Sequence, residues 1–583
     1  MMSYRSISGI VGAGIITLAG CQTEVQPPNI ILIMTDDQGF GDFGFTGNEI
    51  VETPVLDQFK EEATMFDRFY VSPVCAPTRA SLLTGRYHLR TGTTWVTHGK
   101  ETMRPEEKTL AESLGEHGYV TGCFGKWHNG EHYPHHPNGQ GFDTFFGFTA
   151  GHWNNYFDTK LEYNGEELVT EGYIADVLTD SSLAFIERNS DKPFFCYVPY
   201  NTPHAPFQVA DEYFDKYKAK GMDDMNAAVY GMCENIDFNV GRILDKLDEL
   251  KLSENTIVIF LTDNGPNGWR YNAGMKGKKG WVDEGGVRVP LLIRYPGVVP
   301  EGNTIYGLSA HIDLLPTIHS LAGLEFEEYL PLDGIDLSSY MLNGETIPDR
   351  LIFTHQVHNT LSPTPVSVRS PGYRLVINSN GDTSLYNMIS DPGQKNNIAK
   401  LEPEMTASLA DTTEKWYTEV VRDLPYQPGI PVGYPEAPEV HLPAPEAELS
   451  GDVKFHAEKG WANDWLVDFQ AGDHQASWNL DVKQGGSYEV YLNCSAEPFD
   501  DDENIIVQAN EHSTVFSIDK RLEAPEVKSP DRVVRGEVKE RVWPQIYIGD
   551  LSLSEGDEKL SISFHGDIKH SPEIKSIILK QKL

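Results

Sequence analysis

The chain has 583 residues, which is too long for a single hydrophobic core and predicts two or three domains. Its 47 Lys and Arg residues are outnumbered by 86 Asp and Glu residues, which gives a net charge of −39. This acidic balance argues against nucleic acid as a partner, because phosphate backbones bind basic surfaces. An anionic ligand would be repelled at long range, so its binding cleft would have to be locally basic.

Residues 1–20 have the features of a bacterial export signal. Arg5 supplies a positive start, and a short apolar run with small residues follows from Ile7 to Ala19. The run ends in Leu-Ala-Gly-Cys21, which resembles a lipoprotein cleavage site, where the Cys becomes lipidated. We therefore expect a protein anchored by lipid in the bacterial cell envelope, at the outer membrane or cell surface, with the periplasm as an alternative. A plain secretory signal with an incidental Cys21 is the other interpretation.

The first element after this signal is a buried strand that ends in two acids. Asn29 to Thr35 is a continuous apolar run, as is typical of a strand covered on both faces. Asp36 and Asp37 follow it directly. Adjacent carboxylates at a strand end repel each other unless a cation lies between them, and hard oxygen ligands suit Ca²⁺ or Mg²⁺. Taken alone, a solvated Asp pair in a turn explains the same residues.

The segment CAPTRASLLTGR, which begins at Cys75, carries the strongest motif. Residues Ala80 to Thr84 favour a short helix that Gly85 can end, and Cys75 would lie at its positive end. Taken alone, a buried Cys at a helix start explains this equally well. Cys75-x-Pro77-x-Arg79 followed by ASLLTGR resembles the signature of the formylglycine-dependent (type I) sulfatases of the alkaline phosphatase-like superfamily. The DDxGxGD pattern that begins at Asp36 resembles the first metal-binding motif of that family.

This resemblance implies an α/β fold with an alkaline phosphatase-like central mixed sheet flanked by helices. It implies that a maturase oxidises Cys75 to 3-oxoalanine (formylglycine), whose hydrate is the nucleophile and is held by Arg79 and the cation. A predicted strand from Thr256 to Thr262 ends in Asp263 and Asn264. The family pattern implies that these two residues, the Asp36-Asp37 pair and residue 75 are the metal ligands.

Two more predicted strands precede candidate catalytic residues. The segment GYVTGCFGKWH resembles the second sulfatase signature, in which Lys126 would bind a sulfate oxygen and His128 would contact the formylglycine hydroxyl. The run from Phe194 to Tyr200 ends before His204, which would bond the ester oxygen or protonate the leaving alcohol. A surface Lys and packed His residues are the alternative.

A sulfate-binding lysine is implied by a block that resembles KGxxxEGGxRxP. Counting back from Glu284 selects Lys279, and Lys276 and Lys278 are alternatives in another register. The His-rich and aromatic segment 132–153 could line the substrate, since sugar rings stack on aromatic faces, and a plain long loop explains it equally well. The candidate lining residues there and near the other motifs are His152, Trp153, Arg270 and His355.

The remaining chain suggests three further parts after a catalytic domain at 29–360. A small antiparallel C-terminal subdomain is expected at 361–425, then a Pro-rich linker at 426–450. Short alternating runs predict a β-sandwich at 451–583, which resembles carbohydrate-binding jelly-roll modules; a packing domain without a ligand is the alternative. Cys123 and Cys196 lie in apolar runs as core residues, and disulfides among them, Cys233 and Cys494 stay open.

The resemblance implies a sulfuric ester hydrolase that removes sulfate from a sulfated carbohydrate. Export and the appended sandwich favour a polysaccharide or oligosaccharide, such as algal ulvan, carrageenan or fucoidan, with host glycosaminoglycans also open. Two other functions are weighed against this one. The first is a phosphate or phosphonate ester hydrolase of the same superfamily, and the second is an anchored polysaccharide-binding protein with an inactive catalytic domain.

Overall fold

The computed structural model describes residues 26–327, 329–356, 360–461, 463–566 and 568–582. The predicted signal segment and Cys21 lie outside these residues. Within the described residues, no helix is both long enough and apolar enough to cross a membrane.

A large mixed sheet forms the centre of the catalytic part. In the described chain its eleven strands are β1 (Asn29–Thr35), β2 (Thr64–Tyr70), β3 (Val120–Lys126), β4 (Thr144–Phe148), β5 (Lys160–Tyr163), β6 (Glu166–Val169), β7 (Phe194–Pro199), β8 (Thr256–Thr262), β9 (Arg288–Arg294), β10 (Thr304–Ile305) and β11 (Ser309–Ala310). The strand order is β10-β2-β9-β8-β1-β7-β3-β4-β5-β6, and β11 also pairs with β2. The neighbours β8, β1, β7, β3 and β4 run parallel, and β9, β5 and β6 are antiparallel to their neighbours.

Helices cover both faces of this sheet, which explains why its central strands are apolar throughout. Along β1, Ile31 and Ile33 join the hydrophobic core on one face, and Ile30 and Leu32 join the core on the other. A strand alternates its side chains between faces, so burial on both sides requires an unbroken apolar run. The helices are α1 (Pro54–Glu62), α2 (Cys75–Thr84), α3 (Leu110–Glu116), α4 (Ile174–Arg188), α5 (Asp211–Ala219), α6 (Asp224–Glu249), α7 (Glu284–Val287), α8 (Leu314–Leu321), α9 (Ser338–Leu342) and α10 (Pro403–Val420).

The predicted fold class is confirmed, and two smaller β structures follow the central sheet. An antiparallel sheet in the order β12-β13-β14-β15 lies after α9 and packs against α10. Its strands are β12 (Ile352–His355), β13 (Val366–Arg369), β14 (Tyr373–Ile377) and β15 (Thr383–Asn387).

The C-terminal part is a sandwich of two sheets around its own core. One sheet has the order β16-β21-β26-β23-β24 with β18 beside β21, and the other has the order β19-β20-β27-β22-β25 with β17 beside β27. The strands are β16 (Ile430–Val432), β17 (Glu439–Pro443), β18 (Glu448–Ser450), β19 (Lys454–Phe455), β20 (Leu466–Val467), β21 (Gln475–Val482), β22 (Gly486–Ser495), β23 (Asn504–Ala509), β24 (His512–Phe516), β25 (Gln545–Leu553), β26 (Gly556–His565) and β27 (Glu573–Gln581).

The structure corrects the predicted linker at 426–450. β16, β17 and β18 lie in this segment and pair with strands of the sandwich, so the sandwich begins near residue 430. Proline lacks an N–H group and is tolerated at sheet edges and strand ends. Pro431 lies in the edge strand β16 and Pro443 ends β17, so the Pro-rich composition marks edge strands here.

The sandwich also contacts the catalytic part directly. The Asn463 side-chain amide donates a hydrogen bond to the His152 carbonyl at 2.9 Å, and Arg535 donates to the Asn154 carbonyl at 2.8 Å. Among the described residues, the cysteines at positions 75, 123, 196, 233 and 494 are buried and free, so no disulfide joins them.

Candidate active site

The predicted acidic pairs meet at the carboxyl edge of the parallel strands. Thr35 at the end of β1 pairs with Thr262 at the end of β8, so the loops after both strands leave the sheet at one level. The Asp263 amide donates to the Thr35 carbonyl at 3.0 Å, and the Asp36 amide donates to the Thr202 carbonyl at 3.1 Å. Side chains from the β1, β7 and β8 loops are therefore directed at one point, as expected for an open α/β sheet.

Hydrogen bonds hold the acidic side chains together and leave three oxygens free. The Asp37 amide donates to Asp263 Oδ1 at 3.1 Å, and Asn264 Nδ2 donates to Asp37 Oδ1 at 2.9 Å. Asp36 Oδ1, Asp37 Oδ2 and Asn264 Oδ1 are buried and accept no hydrogen bond within the described chain. Buried polar atoms are normally satisfied, so these oxygens mark a place for a bound group. All three are hard donors, and they fit a divalent cation such as Ca²⁺.

The charges around this cluster are strongly coupled. Burial alone would raise the pKa of Asp36, but Lys126, His204 and Arg79 outweigh it and hold that pKa far below its usual range. Burial and the adjacent Asp36 carboxylate raise the pKa of Asp263 to about 7. A cation bound beside these carboxylates would offset the cost of burying their negative charge.

Cys75 lies beside these acids as the first residue of α2. Its sulfur and one carboxylate oxygen each of Asp36 and Asp263 all lie within 4.8 Å of one another. Val74 is the N-cap, and Gly85 ends the helix with a φ of +70°, as predicted. The helix start does not activate the thiol, because burial and the nearby acids keep the pKa of Cys75 above its usual value. The unmodified thiol is therefore a poor nucleophile here.

Arg79 is buried one turn along α2 and connects three segments. Its NH2 donates to Asp263 Oδ2 at 2.9 Å and lies 3.6 Å from Asp36 Oδ2, and its NH1 donates to the Lys126 carbonyl at 2.7 Å. The CxPxR spacing thus places Cys75 and the guanidinium on the same side of one helix, facing the acids.

Two lysines point into the same site from opposite directions. Lys126 Nζ, at the end of β3, lies 2.6 Å from Asp36 Oδ2, and Lys279 Nζ lies 2.7 Å from Asp37 Oδ1. Lys276 instead bonds the Tyr386 hydroxyl at 2.9 Å, and the Lys278 ammonium lies 5.4 Å from the centre of the Trp269 ring. The geometry therefore selects Lys279 from the three lysines of this block.

Three histidines approach the cluster. His204 Nδ1 lies 2.7 Å from the Ala205 carbonyl, which fixes its Nδ1–H, and its Nε2 lies 3.7 Å from Asp37 Oδ2. His128 Nε2 lies 2.9 Å from the Val96 carbonyl, and its buried Nδ1 has no partner in the described chain. The His152 ring centre lies 5.5 Å from that of His204. Burial lowers the pKa of all three.

The other three substrate-lining candidates make contacts with other parts of the protein. Arg270 is buried in a salt bridge with Asp42 at 2.6 Å and donates to the Asp37 carbonyl, so it positions the main chain of an acid. Trp153 stacks on Phe148 at 5.0 Å and packs against the core. His355 is 2% exposed within the small sheet, where its ring lies close to Tyr417. The Arg270 and His355 side chains are thus buried by contacts with other residues, and Trp153 is partly buried against the core.

Two polar residues at the site were missed in the sequence. Asn129 Nδ2 donates to the Ala76 carbonyl at 3.1 Å and so ties the loop after β3 to the start of α2. Asn201 is 2% exposed, and both of its side-chain polar atoms lack partners among the described residues. Asn201 follows β7 as Asp36 follows β1, so the strand-end rule could have selected it.

A family model described as Sulfatase matches residues 28–324, just over half of the chain. N-acetylgalactosamine-6-sulfatase of Canis lupus familiaris is 34% identical over 382 residues, which cover 59% of this chain and 72% of the relative. The chain belongs to the sulfatase family. This sulfatase is also 31% identical over 389 residues to arylsulfatase G of Rattus norvegicus, with 57% of this chain and 72% of the relative covered. It is thus a sulfuric ester hydrolase, as the motifs predicted.

Solved structures share the fold of this chain. The sulfatase resembles Ps i-CgsB in complex with k-i-k-neocarrahexaose, with a TM-score of 0.64 and 31% identity over 67% of this chain and 93% of that one. A phosphonate monoester hydrolase of Agrobacterium radiobacter has a TM-score of 0.52 at 19% identity, with 67% of this chain and 96% of that one covered. At this identity the second likeness concerns the fold alone.

Proposed function

We propose that this sulfatase removes sulfate from a sulfated polysaccharide or oligosaccharide by means of a formylglycine derived from Cys75 and a divalent cation, Ca²⁺ or Mg²⁺. The observation that carries the proposal is the cluster that Cys75 forms with the carboxylates of Asp36 and Asp263. Asp36, Asp37 and Asn264 add buried oxygens without a partner in the described chain. Lys126 and Lys279 contact the Asp36 and Asp37 carboxylates. A cation would be held by Asp36, Asp37, Asp263 and Asn264.

The buried position of Cys75 supports its conversion. Burial raises the pKa of its thiol, which makes the unmodified residue a weaker nucleophile. A formylglycine at this position would supply a nucleophilic oxygen and a second oxygen for expelling sulfate, and the cation would supply positive charge. Arg79 faces both Asp36 and Asp263 and keeps these acids oriented towards residue 75. A formylglycine-generating maturase is the partner that this proposal requires.

The lysines bind the sulfate group. Lys126 and Lys279 are the two positive groups that most strongly lower the pKa of Cys75 against the effect of burial. Each now faces an aspartate. A cation on those aspartates would leave the ammonium groups free to contact sulfate oxygens. Charge-assisted hydrogen bonds of this kind are strong in a buried site, because the donors are already oriented.

The histidines move protons. His128 uses Nε2–H to bond the Val96 carbonyl, so its free Nδ1 can accept a proton from the nucleophile at residue 75. His204 uses Nδ1–H to bond the Ala205 carbonyl, which leaves Nε2 facing the site. The negative charge of a bound sulfate ester raises the pKa of that imidazole, so Nε2 can carry a proton to the departing sugar oxygen. The His152 ring lies beside that of His204, with 5.5 Å between their centres.

Carbohydrate specificity is supported by the relatives and by the site. One relative is named for N-acetylgalactosamine-6-sulfate, and a solved neighbour holds a neocarrahexaose. The sandwich contacts the His152 segment beside the active site, where it can meet a chain of sugars. We favour an algal polymer such as carrageenan or ulvan. We also propose lipidation at Cys21 and a location on the outer membrane or cell surface, with the periplasm as the alternative.

The experiment that tests this proposal compares sulfate and phosphate esters of the same alcohols. The enzyme is co-produced with a maturase and assayed on both esters and on defined sulfated oligosaccharides. We expect desulfation of at least one oligosaccharide, and no turnover by Cys75→Ala or Cys75→Ser. Faster cleavage of phosphate esters, or normal turnover by either variant, would contradict the proposal.

A further inference from the structure

Three glutamates form a second acidic cluster, away from the active site. Glu101 lies in the loop before α3, Glu131 follows β3, and Glu446 ends a short 3-10 turn (Ala444–Glu446) in the sandwich. One carboxylate oxygen of each lies within 4.8 Å of the others. The cluster thus lies where the sandwich meets the catalytic part. It combines side chains that are more than 300 residues apart in the sequence.

These carboxylates lack counter-charges in contact with them. No described side chain donates a hydrogen bond to any of the three, and none forms an ion pair with them. Glu101 is 5% exposed, and its Oε2 is buried without a partner. An isolated buried carboxylate is costly unless it is neutralised or coordinated. An unpartnered, buried oxygen within an acidic cluster therefore indicates a missing ligand.

One lysine that acts on the cluster makes its hydrogen bond elsewhere. Lys575 acts on Glu131, but its Nζ donates to the Asn463 carbonyl at 2.7 Å instead. Burial raises the pKa of Glu101 to about 8 and that of Glu131 to about 7. It also keeps the pKa of Glu446 well above the usual value.

We infer that Glu101, Glu131 and Glu446 bind a divalent cation that joins the sandwich to the catalytic part. The donor set is made of carboxylate oxygens without sulfur or imidazole, which selects a hard cation. Ca²⁺ fits best, because it accepts six to eight oxygens in flexible geometry, and waters can complete the shell. The ion is distinct from the one proposed at Asp37 and does not depend on sulfatase activity.

This cation would stabilise the loops that hold a catalytic histidine. Glu131 lies three residues after His128, and Glu101 belongs to the same loop as Val96, whose carbonyl bonds His128. The Glu101 carbonyl also accepts a hydrogen bond from Thr93 at 3.3 Å. Glu446 anchors the sandwich to both loops. Binding of the cation is therefore coupled to the placement of His128 and to docking of the sandwich.

The test counts bound metal in the full-length protein after equilibration with Ca²⁺ and removal of free ion. We expect two Ca²⁺ per chain in the wild type and one in Glu446→Gln and in Glu131→Gln. Glu448→Gln is the matched control. It removes the same charge two residues away on the surface, where Glu448 pairs with Lys559. This variant should keep two bound Ca²⁺ per chain. Asp37→Asn should lose the other ion and retain this one.

Thermal unfolding in a Ca²⁺ titration gives a second readout. We expect the melting temperature of Asp37→Asn to rise with Ca²⁺, and this rise to disappear when Glu446→Gln is added. One bound Ca²⁺ in the wild type, together with none in Asp37→Asn, would overturn the inference. So would a Glu446→Gln variant that keeps two ions. Loss of activity in Cys75→Ala with both ions retained would leave the inference standing, so it is tested separately from the proposed function.

Discussion

Replacing Lys279 with alanine tests the sulfate-binding site most specifically. Its Nζ lies 2.7 Å from Asp37 Oδ1, and its side chain is 18% exposed, so the ammonium can reach a sulfate group that enters the cleft. Removing one oriented donor from such a site typically costs about 3–4 kcal/mol of transition-state stabilisation. We therefore expect kcat/KM for a sulfate ester to fall by roughly 10²–10³-fold.

Neighbouring lysines provide the matched controls. Lys278 contacts Trp269 and Lys276 contacts Tyr386, and both contacts lie outside the acidic cluster. The kcat/KM values of Lys278→Ala and Lys276→Ala should therefore stay within about threefold of the wild-type value. The assay is steady-state hydrolysis of a chromogenic aryl sulfate, with the melting temperature of each variant as a check on folding. A Lys279→Ala variant with near-normal kcat/KM, or an equal loss in Lys278→Ala, would refute the assigned register.

Further predictions concern stability and metal. In metal-free protein, Arg79→Met should lose about 3–5 kcal/mol in urea unfolding, because Asp263 and Asp36 lose a buried partner; a loss below about 1 kcal/mol would argue against this. Trp478→Ala should cost about 3–5 kcal/mol in the sandwich core, where the indole is fully buried, as followed by fluorescence-detected unfolding. Burial lowers the pKa of His311 to about 3. Protonation below pH 6.5 thus favours the unfolded state, and stability is lost as pH falls. His311→Gln should remove about 2 kcal/mol of the loss between pH 6.5 and 5; an unchanged pH profile would contradict this. Chelation should abolish activity, and Ca²⁺ or Mg²⁺ should restore it; full activity in metal-free enzyme would oppose a catalytic cation.

The meeting of the acidic residues at the strand ends was predictable from the sequence, because it follows from one rule about parallel sheets. Apolar runs buried on both faces imply parallel strands, and their carboxyl ends must meet at one edge of the sheet. This rule brings Asp37 and Asp263 together, although 226 residues separate them in the sequence. The CxPxR spacing likewise places Cys75 and Arg79 on one helix turn.

Residues whose role depends on packing were not predictable. Arg270 and His355 are polar residues near motifs, yet both are buried by contacts that no local pattern encodes. The Pro-rich segment 426–450 looked like a linker because edge strands tolerate proline as linkers do. The glutamate cluster combines loops from two domains, and each of its members alone looks like an ordinary acidic residue. Such sites require the tertiary structure.

The most direct test of the central claim is the chemical state of residue 75 in active enzyme. Mass spectrometry of the peptide that contains Cys75, after trapping with a hydrazine, measures the fraction converted to aldehyde. We expect this fraction to rise in proportion to kcat for sulfate ester hydrolysis when maturase levels are varied. Full turnover by enzyme in which position 75 is entirely an unmodified thiol would contradict the account.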